Sequence, residues 1–258
     1  AKITPLSKVD HANLRIKAQT HCKELINVSA FPVYAFEAAI IAGECPLVFI
    51  EDGEKFLLVL PCSLSEKLPS AWINKEGKWL PKYVPGIIRQ RPFKVLPSEE
   101  GEGVLCIDEE STLIDDDGSL LFNEDGSVTE YLAAKSELLK GLYQNGIQTQ
   151  NIVNMLQEFE LLSPWEFKVA EPGAAPREVE GVYAVDEQKL NDLSDENWLD
   201  LKNQGAISTI YAHLLSIRNI NKLLQGVIDR VTVDREHSKL DSSIEGLFRE
   251  DSDEALNF

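Results

Sequence analysis

An α+β protein is predicted by three observations. Short apolar runs broken by Asp-Gly and Asn-x-x-Gly turns fill the first half, the spacing turns helical at Thr129, and a broad apolar helical stripe runs from Ile207 to Ile228. The antiparallel sheet region belongs to the N-terminal half with flanking helices, and the helical C-terminal third packs onto it. The 258 residues can bury a large core, and 43% hydrophobic with 26% charged residues excludes global disorder. The expected organisation is one domain over residues 1–231, with internal halves 1–127, rich in strand, and 128–231, mainly helical. An acidic tail, 232–258, follows.

Taken in order, a helix-like stretch carries Leu14, Ile16, Leu25 and Ile26, and AFPVYAFEAAIIAG ends at the helix-stopping Gly43. Pro46 to Ile50 and Phe56 to Leu60 form a hairpin across Asp52-Gly53, since Asp-Gly supplies the positive φ of a tight turn. Asn74-Lys75-Glu76-Gly77 turns the chain between Trp72 and Trp79, and a short helix starts at Pro85 and halts before Pro92. Val104 to Ile107 and Leu120 to Phe122 are further strands, separated by Asp117-Gly118 and followed by Asp125-Gly126. Thr129 caps a helix through Leu142 that Gly146 stops, and a second helix carries Ile152, Val153, Leu156 and Phe159. Strands return at Trp165 to Val169 and Val179 to Val185, around the turn-rich EPGAAPRE. Asp195 caps a helix ending at Gly205, and one long helix then runs through Ile207, Ile210, Leu214, Leu224 and Ile228.

The net charge of −18 disfavours nucleic acid and anionic membranes as partners. No apolar run suits a membrane helix, and the N-terminal residues lack the apolar core of a signal peptide, so a cytoplasmic location and no membrane insertion are expected. Cys22, Cys45, Cys62 and Cys106 are spaced too widely for a metal knuckle and are expected to be reduced and buried. GxGxxG, GxxxxGK[ST] and GxSxG are absent. Adjacent helical residues point about 100° apart, so His21-Cys22 does not pair as a base and nucleophile.

A charge reversal is the most informative local feature. Residues 67–94 hold seven bases, Lys67, Lys75, Lys78, Lys82, Arg89, Arg91 and Lys94, against one acid, Glu76. Residues 95–134 hold twelve acids and no base. The basic segment interleaves aromatic residues, and Trp72, Trp79, Lys82, Tyr83, Arg89 and Arg91 form a candidate binding surface that suits stacking on sugars or bases and pairing with carboxylates or phosphates. Two neighbouring strands that neutralise one another give the same pattern. The runs Asp108-Glu109-Glu110 and Asp115-Asp116-Asp117 lack the EF-hand register, because Leu113 and Leu121 stand where the loop needs Asp, and solvated turn acids account for them. His11, His21, His213 and His237 form no HxD, HxE or HExxH motif, so a divalent-metal site requires long-range assembly, for example of His11, His213, Asp108 and Asp186.

GKWLPKYVPGIIRQRPF, residues 77–93, lies in an ordered string with His11-Ala12-Asn13-Leu14-Arg15, Phe31-Pro32-Val33-Tyr34, Pro46-Leu47-Val48-Phe49 and Leu105-Cys106-Ile107-Asp108-Glu109. Ser119-Leu120-Leu121-Phe122, Gly181-Val182-Tyr183-Ala184-Val185-Asp186-Glu187 and Tyr211-Ala212-His213-Leu214-Leu215-Ser216 continue it. Over roughly residues 9–228 the chain thereby resembles the SapC family of bacterial proteins, departing from the usual pattern at Gly86 and Gln90. Relatives are found near genes for flavin-dependent tryptophan-halogenase-like enzymes, cupin-like proteins and TonB-dependent receptors. The resemblance thus implies an accessory role beside a halogenase-like or cupin-like partner or a TonB-dependent uptake system. The family's surface-layer label implies the cell surface as an alternative location.

Two functions of different class follow. The first is a non-catalytic binding or accessory protein that holds a partner protein, peptide or glycan and needs no cofactor. The second is an enzyme using a divalent metal at the scattered His and carboxylate set. Absence of a catalytic motif favours the first.

Overall fold

The computed structural model describes residues 2–65, 68–98, 103–169 and 177–232. Lys67, the start of EPGAAPRE and the acidic tail from residue 233 lie outside the described residues. In the first half the strands are β1 (Ile3–Pro5), β2 (Arg15–Ile16), β3 (Ala30–Pro32), β4 (Val48–Asp52), β5 (Lys55–Pro61), β6 (Phe93–Pro97), β7 (Gly103–Asp108) and β8 (Ser119–Leu120). The second half adds β9 (Leu162–Pro164), β10 (Phe167–Val169), β11 (Arg177–Val179) and β12 (Val182–Val185). The helices are α1 (Ala38–Ala42), α2 (Gly86–Arg89), α3 (Glu130–Glu158), α4 (Glu187–Asn191), α5 (Asp195–Asn203) and α6 (Ala206–Ser216), and a further helical stretch occupies 220–232.

These strands pair antiparallel, in a five-stranded sheet of order β3-β5-β4-β12-β9, a three-stranded sheet β1-β7-β6, and the pairs β2-β8 and β10-β11. The fold is α+β, with its C-terminal segment helical. The hairpin expected at Asp52-Gly53 is β4–β5, closed by Asp52 opposite Lys55 with Gly53 at φ 64°. β12 inserts its Val182 and Tyr183 opposite Ile50 and Phe49, so the two halves of the chain share one sheet.

Two hydrophobic cores result. Phe49, Leu60, Ile88, Ile152, Leu156 and Ile210 belong to the larger, and Ile16, Phe93, Ile107, Leu121, Leu132 and Leu139 to the smaller. α3 joins them: its first half supplies Leu132 and Leu139, its second half Ile152, Val153 and Leu156. At ~1.5 Å per residue its 29 residues extend about 44 Å, enough to lie along both.

The expected stop at Gly146 is corrected, for α3 runs through it. Glycine inside a helix costs about 1 kcal/mol, too little to end one whose apolar stripe is buried in both cores. The cap of α5 is Ser194, whose hydroxyl accepts from Asn197 N–H at 3.2 Å, and Asp195 occupies the first turn instead. The single long helix after Gly205 is also corrected. It tightens to a 3-10 turn at Ile217–Asn219, where side chains bond to the end of α1 and the loop after it: Ser216 Oγ accepts from Leu47 N–H at 2.9 Å, and the Asn219 amide donates to Ala42 O at 2.7 Å.

Gly118 precedes β8 at the backbone of β2. A Cβ on it would lie 2.3 Å from the Ile16 carbonyl carbon and 2.6 Å from the Ile16 nitrogen. Backbone cannot step aside as a side-chain tip can, so Gly118→Ala is expected to lower stability by about 2 kcal/mol. Thermal melting followed by circular dichroism checks this, and an unchanged midpoint would refute the contact.

The turn-acid reading of the acidic runs holds in detail. The carboxylates of Asp108, Asp115 and Asp125 accept the backbone N–H two residues on, from Glu110, Asp117 and Ser127, at 3.2, 3.2 and 2.9 Å. Their cationic partners come from the N-terminus: Lys2 pairs with Glu109, and Lys17 with Asp115 at 2.8 Å. Arg91 of the basic segment pairs with Glu24. These pairs reach across the fold between segments distant in sequence.

Candidate ligand-binding site

The segment 77–93 bridges the two cores, with Ile88 in the larger and Phe93 in the smaller. What fixes it is Glu37, whose side chain has 0% exposure although it sits in the apolar stretch leading into α1. Glu37 Oε1 accepts from Tyr34 N–H at 3.2 Å, and Oε2 accepts from Tyr83 O–H at 2.9 Å and from Gly86 N–H at 2.8 Å. Burial pushes its carboxyl above the ordinary 4.5, and these donors, with the Arg89 guanidinium 3.9 Å away, pull it back. Arg89 completes the network through Nη2, which donates to Tyr83 Oη at 2.9 Å, and Nε, which donates to Val84 O at 3.0 Å. Burial and the Glu37 charge push the Tyr83 phenol up to about 12, so it stays a donor. α2 has one turn and no stabilising length of its own; Glu37 holds its start through Gly86 N–H, and its own Arg89 ties back to Val84 O and Tyr83 Oη.

Beside this hub lies a cavity of about 330 Å³ where three segments meet: residues 17–22, the stretch from Trp79 to Arg91, and the first turns of α3. Among the described residues, Lys17, Arg89, Arg91 and Lys135 line it and no carboxylate does. Trp79, Val84, Ile88 and Tyr131 form an apolar wall. Arg91 and Lys17 are answered from outside the lining by Glu24 and Asp115, and Arg89 by Glu37. Lys135 differs. It is half-buried, its Nζ donates to Arg89 O at 2.8 Å, and among the described residues no carboxylate pairs with it. Burial and the adjacent Arg89 charge lower its pKa.

A family model described as SapC matches residues 6–223, more than four-fifths of the chain. The chain belongs to the SapC family. No curated protein and no solved structure matches it. The SapC match takes in the smaller core, all of the larger core up to Leu223, and every segment that lines the cavity. No helix among the described residues is long and apolar enough to cross a membrane.

The SapC fold sorts the six candidate binding residues. Trp79, Arg89 and Arg91 line the cavity. Tyr83 stands behind it in the Glu37 network, Lys82 is exposed with its backbone N–H on Glu44, and Trp72 is 7% exposed in the larger core with its indole N–H on Pro61 O. The surface of sequence neighbours is thus divided between core, hub and cavity.

The alternative metal set does not converge. His213 is fully buried, and both ring nitrogens serve the backbone: Nε2 accepts from Val185 N–H at 3.0 Å and Nδ1 donates to Leu47 O at 2.9 Å. Asp186 caps α4, accepting from Gln188 and Lys189 N–H. His11 accepts from Ser7 N–H and lies 3.5 Å from Glu109, while Asp108 holds its own turn. Among the described residues no three His, Cys, Asp or Glu side chains are grouped to hold a metal ion.

Sequence reasoning missed Glu37, Lys17, Tyr131 and Lys135. Two had a signal. Glu37 is the one acid within AFPVYAFEAAIIAG, and Lys135 is the first base after forty residues without one, four places from Tyr131 and from Leu139 on the inward stripe of α3. Cys22 also lines the cavity, but burial pushes its thiol up, which keeps it protonated and a poor nucleophile.

Proposed function

We propose that this SapC protein is a non-catalytic binding or accessory protein whose cavity receives a carboxylate-bearing group presented by a partner protein or peptide. The observation that carries this reading is Lys135, an ammonium held half-buried in a cationic cavity where, among the described residues, its partner is a carbonyl and no carboxylate lines the wall. A cation kept there costs stability in the empty protein, and an anionic ligand offsets that cost. The four bases give the ligand its charge preference, while Trp79, Val84, Ile88 and Tyr131 offer an apolar wall. A halogenase-like or cupin-like enzyme is the partner class the family resemblance suggests.

The test uses 4-methylpentanoate as probe, by titration calorimetry at low and raised ionic strength. Binding that weakens with salt is expected. Lys135→Met is expected to weaken it about tenfold or more, the loss of one charge-assisted hydrogen bond. The same variant should melt no lower than the wild type, because the cation it removes has no carboxylate partner among the described residues. Unchanged affinity, or a loss of folding without a loss of affinity, would overturn the reading.

A further inference from the structure

We infer that the cavity captures 2-oxo acids covalently and reversibly, with the Lys135 amine forming an imine at the ligand's keto carbon. This rests on the carboxylate reading above and goes beyond it, because it assigns Lys135 a bond to the ligand as well as a charge. Three features of the cavity point there. The first is a primary amine on its wall whose one hydrogen bond, to Arg89 O, leaves its other positions open. The second is the set of guanidinium and ammonium groups around it, which can hold the carboxylate that a 2-oxo acid carries next to its carbonyl. The third is the apolar wall of Trp79, Val84, Ile88 and Tyr131, which suits a branched or aromatic substituent.

Burial and the neighbouring Arg89 charge favour the uncharged form of the amine. Arg89 and Arg91 approach from the segment of α2 and Lys17 from the N-terminal segment, all cationic. Tyr131 stands one turn earlier on α3, its phenol pushed up by burial and so neutral. The acids that answer Arg91 and Lys17 lie outside the lining. Lys135 therefore releases its proton to solvent more readily than a surface lysine. The uncharged amine attacks the keto carbon, a C–N bond forms, and the carbonyl pair moves to oxygen. The carbinolamine then expels that oxygen as water together with both amine hydrogens, leaving C=N. No oxidant or reductant enters, and hydrolysis returns the free lysine and the oxo acid.

The whole chain is incubated with 4-methyl-2-oxopentanoate and sodium cyanoborohydride, which reduces the imine to a stable secondary amine, and the product is mapped by peptide mass spectrometry. One adduct is expected, on Lys135, forming at least tenfold faster than on Lys140 or Lys168, whose side chains are 70% exposed. Lys135→Arg, which keeps the charge but has no primary amine to condense, should abolish it. Labelling spread over surface lysines, with Lys135 no faster than the rest, would overturn the imine. If 4-methylpentanoate still binds through Lys135 in that case, the carboxylate reading stands and only the covalent step fails. If neither acid binds, both fall.

Discussion

Glu37→Ala is expected to destabilise the protein by about 3 kcal/mol or more and to abolish carboxylate binding in whatever fraction remains folded. Alanine leaves three donors without their acceptor, the backbone N–H of Tyr34 and Gly86 and the hydroxyl of Tyr83, at a site with no water-exposed surface on the carboxylate. Each unsatisfied buried donor costs about 1–3 kcal/mol, which is why the loss exceeds that of an ordinary surface change. The attraction to Arg89 adds little, because that side chain is 38% exposed and solvent screens it. Glu37→Gln separates shape from charge. Its amide oxygen can still accept, so it should stay within about 1 kcal/mol of the wild type at acid pH. The buried carboxyl is raised above its ordinary 4.5, so the folded state holds the proton better than the unfolded chain and loses that advantage as pH climbs. The glutamine variant should therefore gain on the wild type from acid to neutral pH. Urea unfolding followed by tryptophan fluorescence reads both variants, and an alanine variant as stable as the wild type would remove Glu37 from its place as the anchor of α2.

That anchor shows where sequence reasoning reached and where it stopped. The β4–β5 hairpin was legible because Asp52-Gly53 is a local signal: two residues decide the turn, and the apolar runs beside them decide the register. The turn acids were legible for the same reason, each carboxylate bonding two residues along its own chain. The cationic character of the cavity was half legible, since Trp79, Arg89 and Arg91 fall in the basic run. Its other half was not. Lys17 and Lys135 come from segments more than forty residues away on either side, and periodicity says which residues share a face, never which faces meet. Gly146 misled for a physical reason too, because a glycine's local cost of about 1 kcal/mol is visible in sequence while the two cores that outweigh it are not. His213 was legible only as a residue type. Its polar neighbours, Leu47 O and Val185 N–H, are main-chain groups that carry no sequence mark.

His213 carries the other large expected effect, a loss of about 3 kcal/mol of stability as pH falls from 7 to 4. A carbonyl can only accept and an amide N–H can only donate, so Leu47 O and Val185 N–H together require the neutral ring with its proton on Nδ1. Burial lowers the folded-state pKa to about 4 from the ordinary 6.5, with the bond to Leu47 opposing the shift. Stability from a group held neutral in this way is complete above the unfolded value. It is lost progressively as pH drops from about 6.5 towards about 4, where the unfolded chain binds a proton and the folded one does not. Two and a half pH units at ~1.4 kcal/mol each give the stated size. Glu109 acts in a different window. Lys2, Thr4 and His11 hold its carboxyl down at about 2, so what it contributes is present above 4.5 and lost below. Between pH 6.5 and 4.5 the imidazole is opposed by Glu37, whose raised carboxyl loses its stabilising proton as pH climbs, so the His213 contribution is read as the difference between variant and wild-type slopes. His213→Gln, whose amide can donate to Leu47 O and accept from Val185 N–H, should flatten the slope there with a modest loss at pH 7. His213→Ala should flatten it while losing about 3 kcal/mol throughout, because it strands both main-chain groups and opens a cavity against Phe49, whose ring centroid lies 4.9 Å from the imidazole. Urea titrations at half-unit pH steps measure the slopes, and a wild-type slope that persists in both variants would move the proton uptake to another group.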